Sequence, residues 1–453
     1  MSDEQKDLQE ILTKLMQNHQ YAKLRAVAAD VNSADLAALM DSMEDEDSLK
    51  LFRLLPKEKA ADTFPLLQDE DQHYIIMSLS TKEASTIIDN LMSDDAASLL
   101  EEMPANVVTK LLANTSPDTR KDVNQLLRYP EDSAGSVMTV EYVGLRASMT
   151  VTQAIERIRM IGLDSETVDV CYVIDAKRKL LGTVALRYLL IKPVNALIGE
   201  IMNDNVISIK TTTDQEEAAQ MFQKYDFTAM PVVDNENRLV GIITIDDIVD
   251  IIQEEATEDI EKMAAIIPTE KPYMKTGILE TFKKRIPWLL FLMVSATFTG
   301  SIITHFEDAL AKYVVLTAYI PMLMDTGGNA GSQASVSIIR GLSLKEIKFN
   351  QIALVIWKEI RVAVICGITL AGANFLKLMF FDRIQMDVAA VVCCTLVCVV
   401  IFAKVIGCVL PMVADRIGFD PAVMASPLIT TIVDAVSLLL YFQFATRMLH
   451  LVS

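Results

Sequence analysis

Asp434 lies in the middle of the last long apolar run of the chain, Pro427-Leu428-Ile429-Thr430-Thr431-Ile432-Val433-Asp434-Ala435-Val436-Ser437. A carboxylate at bilayer depth costs about 2.5–3.5 kcal/mol on insertion scales, so it usually faces a bundle interior or a watery path and pairs with a cation or a proton. Ser426, Thr430, Asp434 and Ser437 recur at helical spacing and make one polar stripe. Two chemistries fit that stripe: a protonated Asp434 bonded to Thr430, or an oxygen-lined path for a cation. A polar stripe through a lipid span is hard to explain by packing alone, which favours the path.

A second run has the same character. Tyr319-Ile320-Pro321-Met322-Leu323-Met324-Asp325-Thr326-Gly327-Gly328-Asn329-Ala330-Gly331-Ser332-Gln333 carries a proline, three glycines and polar groups at Asp325, Asn329 and Gln333. Proline and glycine loosen a helix, and irregular backbone at membrane depth is tolerated where protein buries it or where it lines a water-filled cavity. Small residues also admit a close neighbouring helix. The run therefore reads as a path with freed carbonyls or as a close-packed helix, and its polar residues favour the path.

A third feature is acidic. Asp247, Asp250, Glu254, Glu258 and Glu261 recur every three or four positions and share a helix face. Like charges at that spacing cost a few tenths of a kcal/mol per pair. A solvated face would bear that cost; a hard divalent cation bridging the carboxylates would remove it.

The elements around these residues differ sharply along the chain. The 453 residues carry a formal net charge of −19. The first 285 hold 30 Lys+Arg against 50 Asp+Glu, whereas Ile286 to the end is nearly neutral, with 11 against 10. An acidic half of that size disfavours nucleic acid and suits cations. Five of six cysteines, all but Cys171, lie in apolar runs and read as small buried hydrophobes. The polar, acidic start lacks the pattern of a signal peptide, so the acidic half is expected in the cytoplasm.

Residues 1 to about 130 read as short amphipathic helices opened by capping residues or proline, at Leu55-Pro56, Ser80-Thr81, Ser93-Asp94, Met103-Pro104 and Ser116-Pro117. Their spacing suggests a solenoid-like stack. Residues 131 to about 252 hold an internal repeat. Ser136-Val137-Met138-Thr139 corresponds to Glu200-Ile201-Met202-Asn203, Val143-Gly144-Leu145 to Val206-Ile207-Ser208, and Tyr172-Val173-Ile174-Asp175 to Pro231-Val232-Val233-Asp234. Each copy alternates β-branched runs, turns and one helical stretch. These copies resemble a tandem pair of cystathionine-β-synthase (CBS) domains, regulatory modules that often sense adenine nucleotides or ions.

Five runs are long enough to cross a bilayer, at about 286–304, 313–338, 353–376, 388–413 and 422–447. Lys283-Lys284-Arg285 precedes the first, and Arg340, Lys345, Lys348, Lys358 and Arg361 surround the junction of the second and third. The positive-inside rule then places the N-terminus in the cytoplasm and the C-terminus outside. Lys404, inside the fourth run, either faces the bundle or snorkels to the interface.

The Pro and Thr-Gly-Gly-Asn-Ala-Gly-Ser-Gln run, the Pro-Leu…Thr…Asp span, the helical region and the paired CBS units occur in one order that resembles the MgtE family of magnesium transport proteins. The resemblance covers nearly the whole chain. It implies a multidomain membrane protein: an all-α solenoid-like N domain (1–130), α/β paired CBS domains (131–252), a connecting "plug" helix (253–283) and an all-α five-helix transmembrane pore domain (284–453). It implies a homodimer in the cytoplasmic membrane with one pore at the dimer axis. It also implies ion-binding pore residues at Asp434, Asn329, Gly328, Thr430 and Ser426, and cytosolic Mg²⁺-sensing carboxylates at Asp94, Asp95, Asp226, Asp247, Asp250, Glu255, Glu258 and Asp259. ATP is a further ligand that such a CBS pair can take. The chain departs from the pattern at Ser426, where some relatives carry Asn, and at Asp325, where glycine can stand.

Other chemistries fit poorly. The four histidines never form His-Glu-x-x-His, which an intramembrane metalloprotease needs. An anion path would want basic residues in the spans, and the central charge is Asp434. No Gly-x-x-x-x-Gly-Lys-Ser/Thr loop is present, so flux is expected to be passive, and a divalent ion crossing 100 mV gains roughly 4.6 kcal/mol. Mn²⁺ or Co²⁺ is the alternative cargo; hard oxygen ligands favour Mg²⁺.

Overall fold

The computed structural model describes residues 3–269, 271, 273–424 and 426–450. The chain divides into two compact units, Met1–Ile252 and Gln253–Ser453.

The first unit opens with ten short helices from Asp3 to Leu126 around one apolar core that includes Leu36, Leu51, Phe64, Ile75 and Leu100. Several sequence caps form as expected. Ser80 and Glu83 make a reciprocal capping box, and Ser116 caps a helix whose next residue is Pro117. Helix α1, Ser93–Glu101, is different: Met92 stands at the cap position and Ser93 is already helical. The Ser93 hydroxyl is not spent on its own helix. It donates to Glu141 Oε2 at 2.7 Å and accepts from the Val140 amide at 3.0 Å, joining α1 to the repeat region.

The repeat folds as two three-stranded sheets of identical order. Strands β1 (Tyr142–Leu145), β2 (Thr167–Ile174) and β3 (Leu180–Ala185) form one; β4 (Ile209–Lys210), β5 (Ala229–Val233) and β6 (Leu239–Thr244) form the other. The first pair in each is parallel and the second antiparallel. The strand of the second copy begins at Ile209, past the Val206–Ser208 run matched to it in the sequence, because that run stays irregular. The copies also trade segments. Thr139 of the first pairs with Ile242 of the second through bonds of 2.8 and 2.9 Å, and Asn203 of the second pairs with Thr183 of the first through two bonds of 2.9 Å. Gly182 and Gly241 make this approach possible. A Cβ on Gly241 would lie 2.5 Å from the Thr139 carbonyl oxygen, and one on Gly182 would lie 2.6 Å from the Met202 sulfur.

Helix α2 (Ile245–Met263) carries the acidic face and runs from the end of the first unit into the second. The second unit is otherwise a helical bundle of α3 (Ile278–His305), α4 (Ile320–Ser343), α5 (Ile352–Lys377), α6 (Met386–Ile417) and α7 (Ser426–Met448). Four segments among the described residues are long and apolar enough to cross a membrane: α3, 349–382 around α5, α6, and 421–448 around α7. The fifth expected run, 313–338, is met by α4, displaced toward the C-terminus and preceded by a 3₁₀ turn over Val314–Tyr319. Helix α4 misses the apolarity of the others because it is rich in small residues, of which Gly327, Gly328, Ala330, Gly331 and Ala334 are buried against other helices, and because it carries the exposed polar residues Asp325, Asn329 and Gln333. It packs on α6 and α7, and the Tyr441 hydroxyl of α7 holds the 3₁₀ turn through the Leu316 carbonyl at 2.9 Å.

The expectation of irregular backbone with freed carbonyls in this run is corrected. Residues 320–343 form one unbroken α-helix. Pro321 sits in its first turn, where a missing N–H costs nothing. The glycines serve contact instead. A Cβ on Gly327 would lie 2.7 Å from Val399 Cγ1, one on Gly331 would lie 2.9 Å from Ile429 Cγ2, and one on Gly407 of α6 would run into the Gly331 carbonyl oxygen. Gly407→Val is therefore expected to force α4 and α6 apart at a cost of about 1–3 kcal/mol. Thermal unfolding in detergent checks this against Gly372→Ala, a position with nothing within 4 Å of an added Cβ. Equal midpoints for the two variants would refute the close-packing account.

Candidate ion path and cytosolic carboxylate cluster

Helices α4 and α7 face one another across a cleft of about 430 Å³ lined by Ile320, Pro321, Met324, Asp325, Gly328, Asn329, Thr430 and Asp434. Four of the five residues expected to bind an ion thus meet in one place: Asp434 and Thr430 from α7, Gly328 and Asn329 from α4. The side chain of the fifth, Ser426, lies outside the described residues. Gly328 lets α7 approach, since a Cβ there would stand 3.0 Å from Thr430 Cγ2. Asp325, one helical turn before Asn329, adds a second carboxylate to the same walls.

The Thr430 hydroxyl donates to the Pro427 carbonyl at 2.9 Å and so does not give its proton to a bond with Asp434. Half-buried Asp434 instead opens on the cleft. The polar stripe does not stay together. Ser437 is buried and its Oγ lies where a Cβ on Gly327 would come within 3.0 Å, outside the cleft lining. Lys404 faces the bundle: it is buried, with its Nζ 3.6 Å from Glu359 Oε2 of α5, which decides between the two placements open in the sequence.

In the first unit, carboxylates from distant segments converge. Asp94 and Asp95 sit in the first turn of α1, and Asp247 in the first turn of α2. Burial, then the charges of Asp247 and Asp95, push Asp94 well above the usual carboxylate range. Burial, then Asp247, Asp246 and Glu141, lift Asp95 to about 6. Burial also raises Asp247, with Asp246 and Asp250 adding to it against the 2.6 Å bond from the Thr244 hydroxyl.

Three members were missed in the sequence. The Glu141 carboxylate accepts from Ser93 and Thr139, and its backbone carbonyl accepts the Glu166 amide at 2.8 Å. Glu166 is lifted to about 7 by burial, then by Asp247, Asp246, Asp95 and Glu141. Asp246 precedes Asp247 on α2 and bears on both Asp95 and Glu166. No local pattern marks Glu141 or Glu166; only the fold of the first repeat brings them to α1.

The other expected carboxylates lie apart in sequence and setting. Asp226 is exposed and ends the helix Gln215–Tyr225 in a left-handed conformation, φ 52°. Glu255, Glu258 and Asp259 are half-buried on the part of α2 that belongs to the second unit. Among the described residues no three His, Cys, Asp or Glu side chains form a ready-made metal cage. The first-unit cluster is accordingly a concentration of negative charge in need of compensation.

That frustration predicts a pH dependence. The folded chain holds protons on Asp95 and Glu166 that the unfolded chain releases at its ordinary values of 3.8 and 4.5. Stability from these groups is present below those values and is lost as pH rises through about 6 to 7. Thermal unfolding of the intact protein in detergent, free of divalent cations, is expected at a lower temperature at pH 7.5 than at pH 5.5. A rising midpoint over that range would contradict the cluster.

The chain is similar to known proteins along most of its length. The family described as a divalent cation transporter, MgtE, matches residues 320–444, its intracellular N domain matches 31–132, and the CBS domain matches 198–254. The magnesium transporter MgtE of Thermus thermophilus is 37% identical over 97% of this chain and 98% of its own length. The chain belongs to the MgtE family. The magnesium transporter MgtE of Enterococcus faecalis is 30% identical over 97% of both chains. Among solved structures, the cytosolic domain of the Mg²⁺ channel MgtE in complex with ATP is 38% identical and covers 53% of this chain and 98% of its own, with a TM-score of 0.51. The soluble part of a magnesium transporter is 29% identical over 56% of this chain and 99% of its own, with a TM-score of 0.52. MgtE proteins are transporters and not enzymes.

Proposed function

We propose that this protein carries Mg²⁺ passively across the cytoplasmic membrane along the α4–α7 cleft, with Asp434 as the central ion-binding group. The observation that carries the reading is the meeting of Asp434, Thr430, Gly328 and Asn329 in one cleft, in a chain similar end to end to magnesium transporters. Mg²⁺ sheds water reluctantly and favours octahedral oxygen. Six waters fill roughly 180 Å³ at their liquid volume, so a cleft of about 430 Å³ accommodates a hydrated ion. Asp434 holds the ion through that shell, with Asn329, Gly328, Thr430 and Ser426 as the further ion-binding residues.

The working unit is a homodimer with one pore on its axis, the N-terminus in the cytoplasm and the C-terminus outside. High cytosolic Mg²⁺ neutralises the carboxylates of the N domain (1–130), the CBS pair (131–252) and the connecting plug segment (253–283) and shuts the transmembrane domain (284–453). Asp94, Asp95, Asp226, Asp247, Asp250, Glu255, Glu258 and Asp259 are the sensing groups. The mutual repulsion around Asp247 supports this, because only tighter binding to one state lets an ion shift the equilibrium. ATP is a second ligand of the CBS pair, a reading supported by the similar cytosolic domain solved with ATP.

The test is Mg²⁺ entry into liposomes bearing the purified protein, with internal Mg²⁺ low. Entry above protein-free liposomes is expected. Entry of Mn²⁺ or Co²⁺ without Mg²⁺ would change the cargo, and no entry of any of the three would overturn the reading.

A further inference from the structure

The C-terminal tip of α2 is fastened to the loop that leads into α7 and to the C-terminal part of α4, the two helices whose other turns line the cleft. Lys262 Nζ lies 2.7 Å from Glu258 Oε1 on its own helix and 2.7 Å from Asp420 Oδ2 in the loop between α6 and α7. The same Asp420 accepts the Ala422 amide at 2.8 Å through its other oxygen and so shapes the short turn Pro421–Met424 that leads into α7. The next residue of α2, Met263, packs against buried Ala422 and against Ile339 near the end of α4. The chain after α2 is tied as well: the Ile267 amide donates to the Lys284 carbonyl at 3.1 Å, and Lys284 Nζ donates to the Pro268 carbonyl at 2.8 Å. All of these contacts lie within the second unit.

Lys262 is in a demanding position. Its side chain is only 22% exposed. Burial works against its charge, yet the bonds to Asp420 and Glu258 outweigh that and hold the ammonium group above its ordinary pKa. A charge-assisted pair of this kind is short and roughly twice as strong as a neutral hydrogen bond. The ammonium group therefore does at this point what a bridging cation would do: it joins a carboxylate of the acidic helix to a carboxylate at the foot of α7.

We propose that Lys262 is a positioning residue for the gate, a built-in cation that latches α2 to the cytosolic ends of α4 and α7 in the shut arrangement. It rests on the transport reading above. Of the sensing carboxylates, Glu258 is held by Lys262 in the shut arrangement, internal Mg²⁺ acts on the others, and Lys262 transmits the position of α2 to α4 and α7. Loss of the latch leaves the path intact and weakens only its closure.

The experiment is Mg²⁺ flux in liposomes across a series of internal Mg²⁺ concentrations, for wild type, Lys262→Met, Lys262→Glu, and Lys262→Glu combined with Asp420→Lys. Flux at low internal Mg²⁺ is expected to match wild type in all four. The inhibition midpoint is expected to rise by about fivefold in Lys262→Met and further in Lys262→Glu, within the 5–150-fold range usual for coupled sites. The charge swap should return it toward wild type, which a merely structural lysine would not do. An unchanged midpoint in both single variants beside a normally inhibited wild type would overturn this inference alone. A swap no better than Lys262→Glu would also overturn it, with Lys262→Met guarding against a folding defect. A wild type that carries no Mg²⁺, or carries it uninhibited, would overturn the inference together with the reading on which it stands.

Discussion

Asp434→Ala is expected to lower Mg²⁺ entry by on the order of 100-fold or more at low internal Mg²⁺. A hydrogen bond to a charged group is worth about 1.5–3 kcal/mol, and two copies facing a shared axis would double that, while each 1.4 kcal/mol is a factor of ten. The loss should fall on the ion and not on the fold, because the carboxylate opens on the cleft and is only half-buried. Two neighbours sharpen the test. Thr430→Ala should reduce entry less, since its hydroxyl is already bonded to Pro427. Ser437→Ala should leave entry unchanged, since Ser437 is buried against Gly327 and does not line the cleft. Equal entry in wild type and Asp434→Ala would move the ion site away from the α4–α7 cleft.

Neutralising Asp247 and Asp250 together to Asn is expected to leave flux running at internal Mg²⁺ that shuts the wild type. Asp247 is the leading charge acting on each of Asp94, Asp95 and Glu166, and Asp250 bears on Asp247 in turn. Removing both relieves the repulsion without a cation and removes ligands that would hold one. The shut state then gains less from Mg²⁺, and a loss of about 1.4 kcal/mol in differential binding raises the inhibition midpoint tenfold. Flux at low internal Mg²⁺ should be retained. An inhibition curve superimposable on that of the wild type would remove these residues from the sensing set, whatever their part in stability.

Much of the architecture is legible in local features of the chain. Ser80 with Glu83, and Ser116 before Pro117, mark helix starts because a cap is satisfied within four residues. The two copies of the strand pattern are recognisable because each strand alternates by its own geometry, and the glycines at 182 and 241 mark where another backbone comes close. The apolar runs and their flanking lysines and arginines are likewise local. So is the placement of Asp434 in a span, since depth is a matter of how much apolar sequence lies on either side.

Periodicity misleads where an effect depends on a partner far along the chain. Ser93 looks like a cap and instead reaches Glu141, 48 residues on. Pro321 and three glycines look like a broken helix and instead let α4 run unbroken between close neighbours. Ser437 shares a stripe with Asp434, yet at about 100° per residue the two point roughly 60° apart, and Ser437 is buried against Gly327 instead of lining the cleft. Short-range composition and spacing settle which segments are helix, strand or span, because those choices are made by forces within a few residues. Tertiary packing alone decides that Glu141 and Glu166 join Asp94, Asp95 and Asp247, that Glu359 neutralises Lys404, and that Lys262 meets Asp420. Coulombic and hydrogen-bond terms depend on distances between atoms, and those distances exist only once the chain has folded.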